Sequence, residues 1–378
     1  MAVAVCLIVL GPATAAACYY LFFTVVGLPA AGRPAAPTPP RHRLAVLIPA
    51  HNEEAGLPRT IRSLRRASYP PDLLRVVVIA DNCTDRTARV AAALSADVIV
   101  RTDPGRRGKG FALARGVPEA LAGRPDAVLI LDADCDVTPG LLRGFDRLLS
   151  EGAQAAQARL ASVGADNGPA AYVAAVGAEI DHGVAVGRQR LGGTVPLRGT
   201  GMLFRREVLE RLPWSATGLA EDGEYAAALA ELGVPVRLLA DESVLCDAPP
   251  TAAALFAQRR RWRAALRVGR GGLLFRWPAS KPLTAAHLAL AFAAVPACVP
   301  FMSATAGGLF AAWLAAVGGV FGWVYARAIA RVGLTRGRFR SLCRSPALVI
   351  RLAWLALGGR WRKAAEWKRT DRPTDPAG

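Results

Sequence analysis

The sequence predicts an α/β protein in which a doubly wound sheet is flanked on both sides by membrane-spanning helices. Apolar runs that suit buried strands alternate with amphipathic stretches over the first half of the chain, the pattern of a mostly parallel sheet. Two other segments, 1–32 and 283–326, contain no Asp, Glu, Lys or Arg. Their length and composition predict helices that cross a bilayer, since one span needs about 20 apolar residues.

The elements of the sheet follow from these patterns. Strands are expected at 44–48, 76–79, 128–131 and 234–239, and helices at 57–67, 84–94, 111–121, 170–190 and 219–232. The first three apolar runs are continuous rather than alternating, as in strands that are buried on both faces. Ligands of such sheets bind at the carboxyl ends of the strands. Polar residues at these points are therefore the candidates for a functional site.

The two uncharged segments differ in the number of spans they predict. Segment 1–32 fits one uncleaved anchor. A cleaved signal peptide is the alternative, but the segment lacks a basic n-region, and its apolar part exceeds the usual length of about 7–15 residues. The second segment fits two spans, 283–302 and 307–328, joined by a tight turn at 303–308.

Basic residues follow the first span and flank the last two. By the positive-inside rule, this distribution predicts an integral protein of the inner membrane, with its N-terminus outside and the domain and tail in the cytoplasm. The net charge of +18 also raises the question of nucleic-acid binding. The arginines crowd next to the predicted spans, where anionic head groups attract them. The expected partner is therefore the lipid bilayer and not nucleic acid.

These features divide the chain into six parts: a transmembrane anchor (1–32), a Pro-rich linker (33–43), a cytoplasmic α/β domain (44–250), an interfacial amphipathic segment (251–282), two transmembrane helices (283–328) and a basic cytoplasmic tail (329–378). The stretch 251–270 mixes apolar residues with six arginines, as in helices that lie in the bilayer surface. A second such helix is expected at 346–357, which is too short to span.

Polar groups stand at two neighbouring strand ends. Pro49, Ala50 and Glu53 follow the first strand, and Asp81 follows the second. Such groups at adjacent strand ends are placed to hold a base and a ribose by hydrogen bonds. Helix capping is the alternative, since the Asn, Thr and Asp that follow Asp81 are favoured N-cap residues.

A Gly-Lys-Gly turn and an Asp-x-Asp pair are expected to hold a diphosphate. Lys109 stands between two glycines at the start of a predicted helix, where backbone amides and its ammonium can approach phosphate. Asp132 and Asp134, at the exposed end of a buried strand, can share one hard cation, Mg²⁺ or Mn²⁺. A polar turn after the strand is the alternative, but uncompensated acids so close together are costly.

Two acids, Glu221 and Asp222, open the last predicted helix of the domain. Inverting transfer needs a carboxylate that takes the proton of the acceptor's hydroxyl, a contribution of about 10²–10⁴ in rate, and this pair of acids is the candidate. Stabilisation of both acids by the helix dipole is the alternative. A loop of Gly199, Thr200 and Gly201 is expected to run along the acceptor, with an ordinary turn as the alternative.

A Gln-x-x-Arg-Trp motif lies on the predicted interfacial helix, at Gln258, Arg261 and Trp262. Arg261 is suited to clamping a diphosphate, and Trp262 to stacking on an acceptor sugar or closing the pocket. A plain interfacial helix also contains Arg and Trp. Together the motifs are suited to binding a nucleotide, a metal and a diphosphate and to supplying a base. This combination indicates sugar transfer from a nucleotide sugar at a membrane surface.

In their order along the chain, these motifs resemble those of the membrane-integrated family 2 glycosyltransferases. That group includes the cellulose, chitin, hyaluronan and poly-N-acetylglucosamine synthases and the ceramide glucosyltransferases. The resemblance covers 44–262 and a Trp-x-x-Thr-x-Arg ending at 367–372. One departure is Ala80, where many members have a first Asp of an Asp-Asp pair.

The resemblance implies a GT-A (Rossmann-like) fold and an inverting, metal-dependent transfer. The residue roles that it implies are nucleoside contact by Asp81, diphosphate and metal binding by Asp132 and Asp134, base catalysis by Asp222, and closure of the site by Gln258, Arg261 and Trp262. The expected donor is a UDP-sugar, and the expected acceptor is presented by the membrane.

A lipid-linked acceptor is favoured over a growing polysaccharide. Three spans are few for a polymer channel, and a sugar polymer inside a bilayer would need polar groups along its route. A processive polysaccharide synthase that extends a glycan acceptor is the alternative. Two further possibilities are a nucleotide-sugar-binding subunit without catalysis and a membrane-anchored nucleotidyltransferase, which would form pyrophosphate or a nucleotide-linked product.

Overall fold

The computed structural model describes residues 1–28, 39–218, 220–266 and 281–357, with only the backbone for 260–266, 281–287 and 353–357. Eight strands form one mixed sheet. They are β1 (Leu44–Ala50), β2 (Leu74–Asp81), β3 (Asp97–Arg101), β4 (Ala127–Ile130), β5 (Asp136–Val137), β6 (Ala155–Val163), β7 (Met202–Arg205) and β8 (Val236–Asp247). Their order across the sheet is β3-β2-β1-β4-β7-β6-β8-β5.

Twelve helices lie within the described residues. They are α1 (Ala2–Val26), α2 (Leu57–Arg66), α3 (Thr87–Ala93), α4 (Lys109–Ala122), α5 (Leu141–Ser150), α6 (Pro169–Arg190), α7 (Arg206–Arg211), α8 (Glu221–Glu231), α9 (Ala252–Leu266), α10 (Lys281–Cys298), α11 (Ala304–Val332) and α12 (Arg336–Leu357). Two short 3-10 turns cover Pro71–Leu73 and Val299–Phe301.

The first half of the sheet is parallel. Strand β1 pairs with β2 on one side and β4 on the other, and β2 pairs with β3, all in parallel. Leu44 is in register with both Leu74 and Ala127, so that the three strands run side by side to one carboxyl edge. This edge carries the predicted nucleotide and metal residues, as the sequence pattern of buried strands indicated.

The second half of the sheet is mixed, whereas the sequence predicted a doubly wound sheet that is mostly parallel. Strand β7 is antiparallel to both β4 and β6, whereas β6 and β8 are parallel to each other. The two-residue strand β5 adds antiparallel to β8 at the edge. Because β7 runs antiparallel to β4, the loop that precedes β7 lies beside the carboxyl end of β4.

Helices cover both faces of the sheet. Successive strand residues point to opposite faces, and both sets are apolar, so that each face needs a layer of helices to bury it. In β1, Val46 and Ile48 belong to the same core cluster as Ile61 of helix α2, whereas Leu47 belongs to the opposite cluster with Leu113 of α4. All of these side chains are fully buried. Burial of each one contributes about 1.5–3 kcal/mol to the folded state.

Two helices, Ala2–Val26 and Ala304–Val332, are long and apolar enough to cross a membrane, and Leu288–Phe301 forms a shorter apolar helical stretch. The boundaries differ from the predicted spans 283–302 and 307–328. The turn lies earlier, because Val299–Phe301 is a separate 3-10 turn and the Ser303 side chain caps α11 by accepting from the Ala306 amide at 3.3 Å.

Helix α6 connects the sheet domain with the long apolar helices. Tyr172 and Ile180 of α6 pack in one buried cluster with Tyr20 of α1 and with Phe321 of α11. The backbones of α1 and α6 approach closely at Gly187, where an added Cβ would overlap the Phe23 carbonyl. The sequence predicted α6 as a helix but gave it no role in joining the two parts.

Two predictions for the flanking segments are only partly within reach of the structure. The interfacial helix expected at 346–357 is the second half of the longer helix α12. The segment expected to be interfacial begins with α9, while 267–280 lies outside the described residues, as do most of the predicted linker and the end of the tail.

Candidate active site

A cleft of ≈1080 Å³ lies at the carboxyl edge of the parallel strands. It brings together most of the predicted site residues, although they are far apart in sequence. Those that line it are Pro49, Ala50, Glu53, Asp81, Lys109, Asp132, Asp134, Gly199, Thr200, Asp222 and Gln258. The convergence follows from the topology, because β1, β2 and β4 end together and the loop before β7 returns to the same edge.

Asp81, at the end of β2, is buried and already has a cationic partner. Its Oδ1 lies 2.5 Å from Nη1 of Arg101, the last residue of the neighbouring strand β3. The Asn82 amide also donates to Asp81 at 3.1 Å, and His51 contacts the Asp81 carbonyl at 2.8 Å. The pairing fixes the carboxylate at the cleft wall, where its remaining acceptor sites can face a nucleoside.

Lys109 is the central cation of the site. Its ammonium forms an ion pair with Asp132, donates to the Gly199 carbonyl at 2.7 Å and lies 3.9 Å from Glu221. Burial opposes its charge, but Asp132 and Glu221 raise the pKa of Lys109 above its ordinary value. One ammonium thus links the end of β4, the loop before β7 and the start of α8.

The two acids at the start of α8 have raised pKa values. Burial, together with the charge of Asp222, raises the pKa of Glu221 to about 7, against the opposing effect of Lys109. Burial also raises the pKa of Asp222, although the Gly223 amide donates to its Oδ1 at 2.8 Å and favours the charged form. A buried carboxylate whose pKa is raised in a cleft is a better proton acceptor than an exposed one.

The Asp-x-Asp pair offers oxygen ligands to a cation. The ligand atoms of Asp132, Asp134 and Cys135 lie within 4.8 Å of one another, so that the two carboxylates are close enough to share one cation. Cys135 is a poor candidate, because its hydrogen bond with Cys246, 3.1 Å away, and its burial raise the pKa of the thiol. The two carboxylates alone therefore fit a hard cation such as Mg²⁺ or Mn²⁺.

The Gly199–Gly201 loop braces the donor side of the cleft in this structure. The Thr200 hydroxyl, which is buried, accepts from the Asp132 amide at 3.0 Å. Both glycines have positive φ values, +81° and +66°, and a Cβ at Gly201 would lie only 2.8 Å from Val244. Glycine is required there by conformation and by space. The acceptor contacts expected of this loop remain a prediction.

The motif on α9 is described only in part. Gln258 lines the cleft, as does the neighbouring Arg259. Burial lowers the pKa of Arg259, and the nearby Asp181 opposes this effect. The side chains of Arg261 and Trp262, and the Trp-x-x-Thr-x-Arg ending at 367–372, lie outside the described residues.

Several cleft residues carry no motif and were missed from the sequence. Gln157 of β6 is buried, donates to the Thr200 carbonyl at 2.8 Å and accepts from the Arg198 amide at 2.9 Å, so it holds the Gly199–Gly201 loop. Asp181 and His182 of α6 also line the cleft, and Asp181 pairs with Arg198 at 3.1 Å. Burial and nearby arginines lower the pKa of His182 to about 3. Only tertiary contacts bring these residues to the site.

Comparison with known proteins assigns the sequence to a family. Residues 40–265 match the family described as glycosyltransferase like family 2. The chain is 28% identical over 232 residues to the probable glycosyltransferase YdaM of Bacillus subtilis, covering 58% of this chain and 54% of that protein. It is 28% identical over 228 residues to the beta-monoglucosyldiacylglycerol synthase of a Nostoc species, covering 58% and 48%. The chain therefore spans about half the length of the curated relatives it matches.

Among solved structures, the chain resembles a mannosyltransferase of Pyrobaculum calidifontis, which was solved in complex with GDP-Man and Mn²⁺. The two share 21% sequence identity with a TM-score of 0.59, over 96% of this chain and 100% of the other. At this identity the likeness concerns the fold. With the family match, it confirms the GT-A glycosyltransferase fold predicted from the sequence.

Proposed function

The chain belongs to glycosyltransferase family 2, and we propose that it transfers a sugar, with inversion, from a UDP-sugar to a lipid-linked acceptor at a membrane. The observation that carries the proposal is the convergence of Asp81, Lys109, Asp132 and Asp222 in one cleft at the carboxyl edge of the parallel strands. These groups supply what the reaction needs at one place: contacts for a nucleoside, a cation beside a diphosphate, and a base.

The donor is held by the groups at the ends of β1, β2 and β4. Asp81, fixed by Arg101, accepts hydrogen bonds from the nucleoside, and Lys109 is placed where a diphosphate would approach Asp132. When no donor is bound, the Lys109 ammonium balances the charges of Asp132 and Glu221. It is also positioned to contact the phosphate oxygens of a bound donor. A divalent cation bound by Asp132 and Asp134 would offset the negative charge that develops on the departing diphosphate.

Asp222 acts as the general base. Its carboxylate takes the proton of the acceptor's hydroxyl while that oxygen forms a bond to the anomeric carbon. The bond between the anomeric carbon and the phosphate oxygen breaks at the same time, and the nucleoside diphosphate leaves with the bonding electrons. Attack opposite the leaving group inverts the anomeric configuration. The raised pKa of Asp222 suits this role, because its conjugate acid holds the proton more firmly than an exposed carboxyl does.

A lipid-linked acceptor is supported by two observations and one physical argument. Two helices are long and apolar enough to cross a membrane, and they pack against α6, which lines the cleft. One of the relatives is named for the synthesis of a glucosyldiacylglycerol. A lipid whose sugar-accepting head lies at the membrane surface can reach the cleft without a route for a polymer through the bilayer.

A donor screen tests the proposal. Purified protein in native lipid is incubated with a panel of UDP-sugars and GDP-sugars, and the released nucleoside diphosphate is measured with and without lipid acceptor. We expect release of UDP from one UDP-sugar, stimulated by lipid. Release of GDP only would overturn the choice of UDP. Formation of pyrophosphate would instead indicate a nucleotidyltransferase.

The membrane placement is part of the proposal. With the N-terminus outside and the domain and tail in the cytoplasm of the inner membrane, the cleft faces the compartment that holds nucleotide sugars. Single cysteines introduced at residue 2 and, separately, at exposed Arg106 report this placement in a cysteine-free background. We expect an impermeant maleimide to label the first in intact cells and the second only after permeabilisation. Labelling in the reverse order would contradict the orientation.

A further inference from the structure

An apolar groove of ≈420 Å³ lies among α1, α6, α10, α11 and α12, separate from the catalytic cleft. Its walls include Phe292 of α10 and Phe321 of α11, and its lining also includes Gly318 and Gly322. Gly322 leaves space that a larger residue would occupy, because a Cβ placed there would meet no atom within 4 Å. A pocket of this size and character accommodates part of an apolar ligand.

The groove and the cleft share helix α6. Ile180 lines the groove, whereas the next two residues, Asp181 and His182, line the cleft. Tyr20 and Tyr325, each of which carries a phenol hydroxyl, also line the groove. Aliphatic and aromatic side chains and two glycines form the rest of its lining.

We propose that this groove binds the hydrocarbon chain of the lipid acceptor while the lipid's head group enters the cleft past Asp181. The inference rests on the proposed function and adds the chain-binding site to it. An amphipathic molecule fits this arrangement, because its polar end is offered Asp181 and two phenols and its chain is offered aliphatic and aromatic side chains. The chain thereby positions the acceptor's hydroxyl relative to Asp222.

Filling the groove tests the inference. In Gly322→Leu, the new side chain enters the space that the lipid chain would occupy. Gly319→Leu is the matched control. Like Gly322, Gly319 lies on α11 and is exposed, and its Cβ would meet no atom within 4 Å. Unlike Gly322, it is outside the groove lining. Both variants add the same apolar side chain to α11, so the folding of each can be compared directly by Tm.

The first readout is acceptor kinetics with diacylglycerols that carry long or short acyl chains. We expect Gly322→Leu to raise the apparent KM for the long-chain acceptor at least about tenfold, with kcat and the KM for the donor unchanged, since it removes binding made equally in the ground and transition states. The short-chain acceptor should show little change, and Gly319→Leu should behave as wild type. Equal effects on both acceptors, or no effect, would overturn the inference.

A second readout does not depend on sugar transfer. A diacylglycerol with a diazirine near the end of one acyl chain is irradiated with the full-length protein in micelles, and labelled peptides are mapped by mass spectrometry. We expect labelling of α10 and α11 around Phe292 and Phe321 that is lost in Gly322→Leu and kept in Gly319→Leu. Labelling that is identical in all three proteins would overturn the groove. Correct labelling without transfer to any lipid would overturn the proposed function while supporting the groove as a lipid site.

Discussion

At the scale of single residues, the site is a balance of buried charges around Lys109. Its ammonium contacts Asp132 and lies 3.9 Å from Glu221, so that one cation serves acids from two different elements. Partly buried charges of this kind interact more strongly than exposed ones because the surrounding dielectric is lower. The balance explains how Asp132, Glu221 and Asp222 can face one cleft.

Removing the proposed base should abolish turnover while leaving donor binding intact. Asp222→Asn keeps the shape of the side chain but cannot accept the proton, so kcat should fall by at least about 10²-fold. Glu231→Gln, at the other end of α8, is the control and should be as active as wild type. UDP-sugar affinity, measured by calorimetry, should change little. A collapse of that affinity would make Asp222 a binding residue.

The raised pKa of Glu221 predicts a dependence of stability on pH. Its pKa rises from 4.5 to about 7 in the folded protein. A carboxyl with a raised folded pKa stabilises the fold in its protonated form, so the contribution is complete below about pH 4.5 and is lost as pH rises through about 7.

In metal-free and nucleotide-free protein, the Tm of wild type should therefore fall relative to that of Glu221→Gln between about pH 5 and about pH 8. The difference corresponds to at most about 3 kcal/mol of unfolding free energy. Thermal unfolding of both proteins in the same detergent measures it. Parallel pH profiles for the two proteins would show that Glu221 is not protonated on folding.

Metal binding should depend on Asp134 and not on its neighbour Cys135. EDTA should abolish transfer, and added Mn²⁺ or Mg²⁺ should restore it. Asp134→Ala should lose both activity and Mn²⁺ binding, measured by electron paramagnetic resonance, because a hard cation is held by carboxylate oxygens. Cys135→Ser should retain both, since the neutral thiol is not a ligand. Activity that survives EDTA, or loss of Mn²⁺ binding in Cys135→Ser, would contradict this donor set.

At the scale of elements, periodicity predicted what is regular and local. The continuous apolar runs identified β1, β2 and β4, and the helical period identified α2, α4 and α6 to within a few residues. Strand β5 has only two residues, too few for a periodic signal, and the antiparallel pairing of β7 with β4 and β6 depends on partners that are distant in sequence. The mixed half of the sheet therefore required the structure.

The same limit applies to the site. Asp81, Asp132 and Asp222 were recognisable because each stands next to a strand end or a helix start. Arg101 and Gln157 were not, because each acts through a residue that only the folded chain brings near. Likewise, α6 was visible as a helix, but its crossing with α1 was not.

The crossing of α1 and α6 predicts that Gly187 is essential to packing. A Cβ there would lie far inside contact distance of the Phe23 carbonyl, whereas one at Gly183, a turn earlier on α6, would meet no atom within 4 Å. Gly187→Ala should cost about 1–3 kcal/mol of unfolding free energy, as overpacking does, and Gly183→Ala should cost less. Comparison of the two Tm values decides this. Equal values would mean that the helices do not cross at Gly187.

At the scale of the whole molecule, the protein has three connected parts. A GT-A domain supplies the cleft, long apolar helices are proposed to supply a surface for lipid, and α6 belongs to both because it lines the cleft and packs against α1 and α11. Under the proposed function, this arrangement brings a water-soluble donor and a membrane-bound acceptor to one chain. It favours transfer of one or a few sugars to a lipid, since the acceptor does not have to pass through the bilayer.

The most direct test of this account is the nature of the product. Detergent-solubilised protein is incubated with radiolabelled UDP-sugar and native lipid, and the mixture is extracted with organic solvent. We predict a discrete labelled product in the organic phase that is absent with Asp222→Asn. Label in high-molecular-weight, solvent-insoluble material would contradict the account in favour of a polysaccharide synthase.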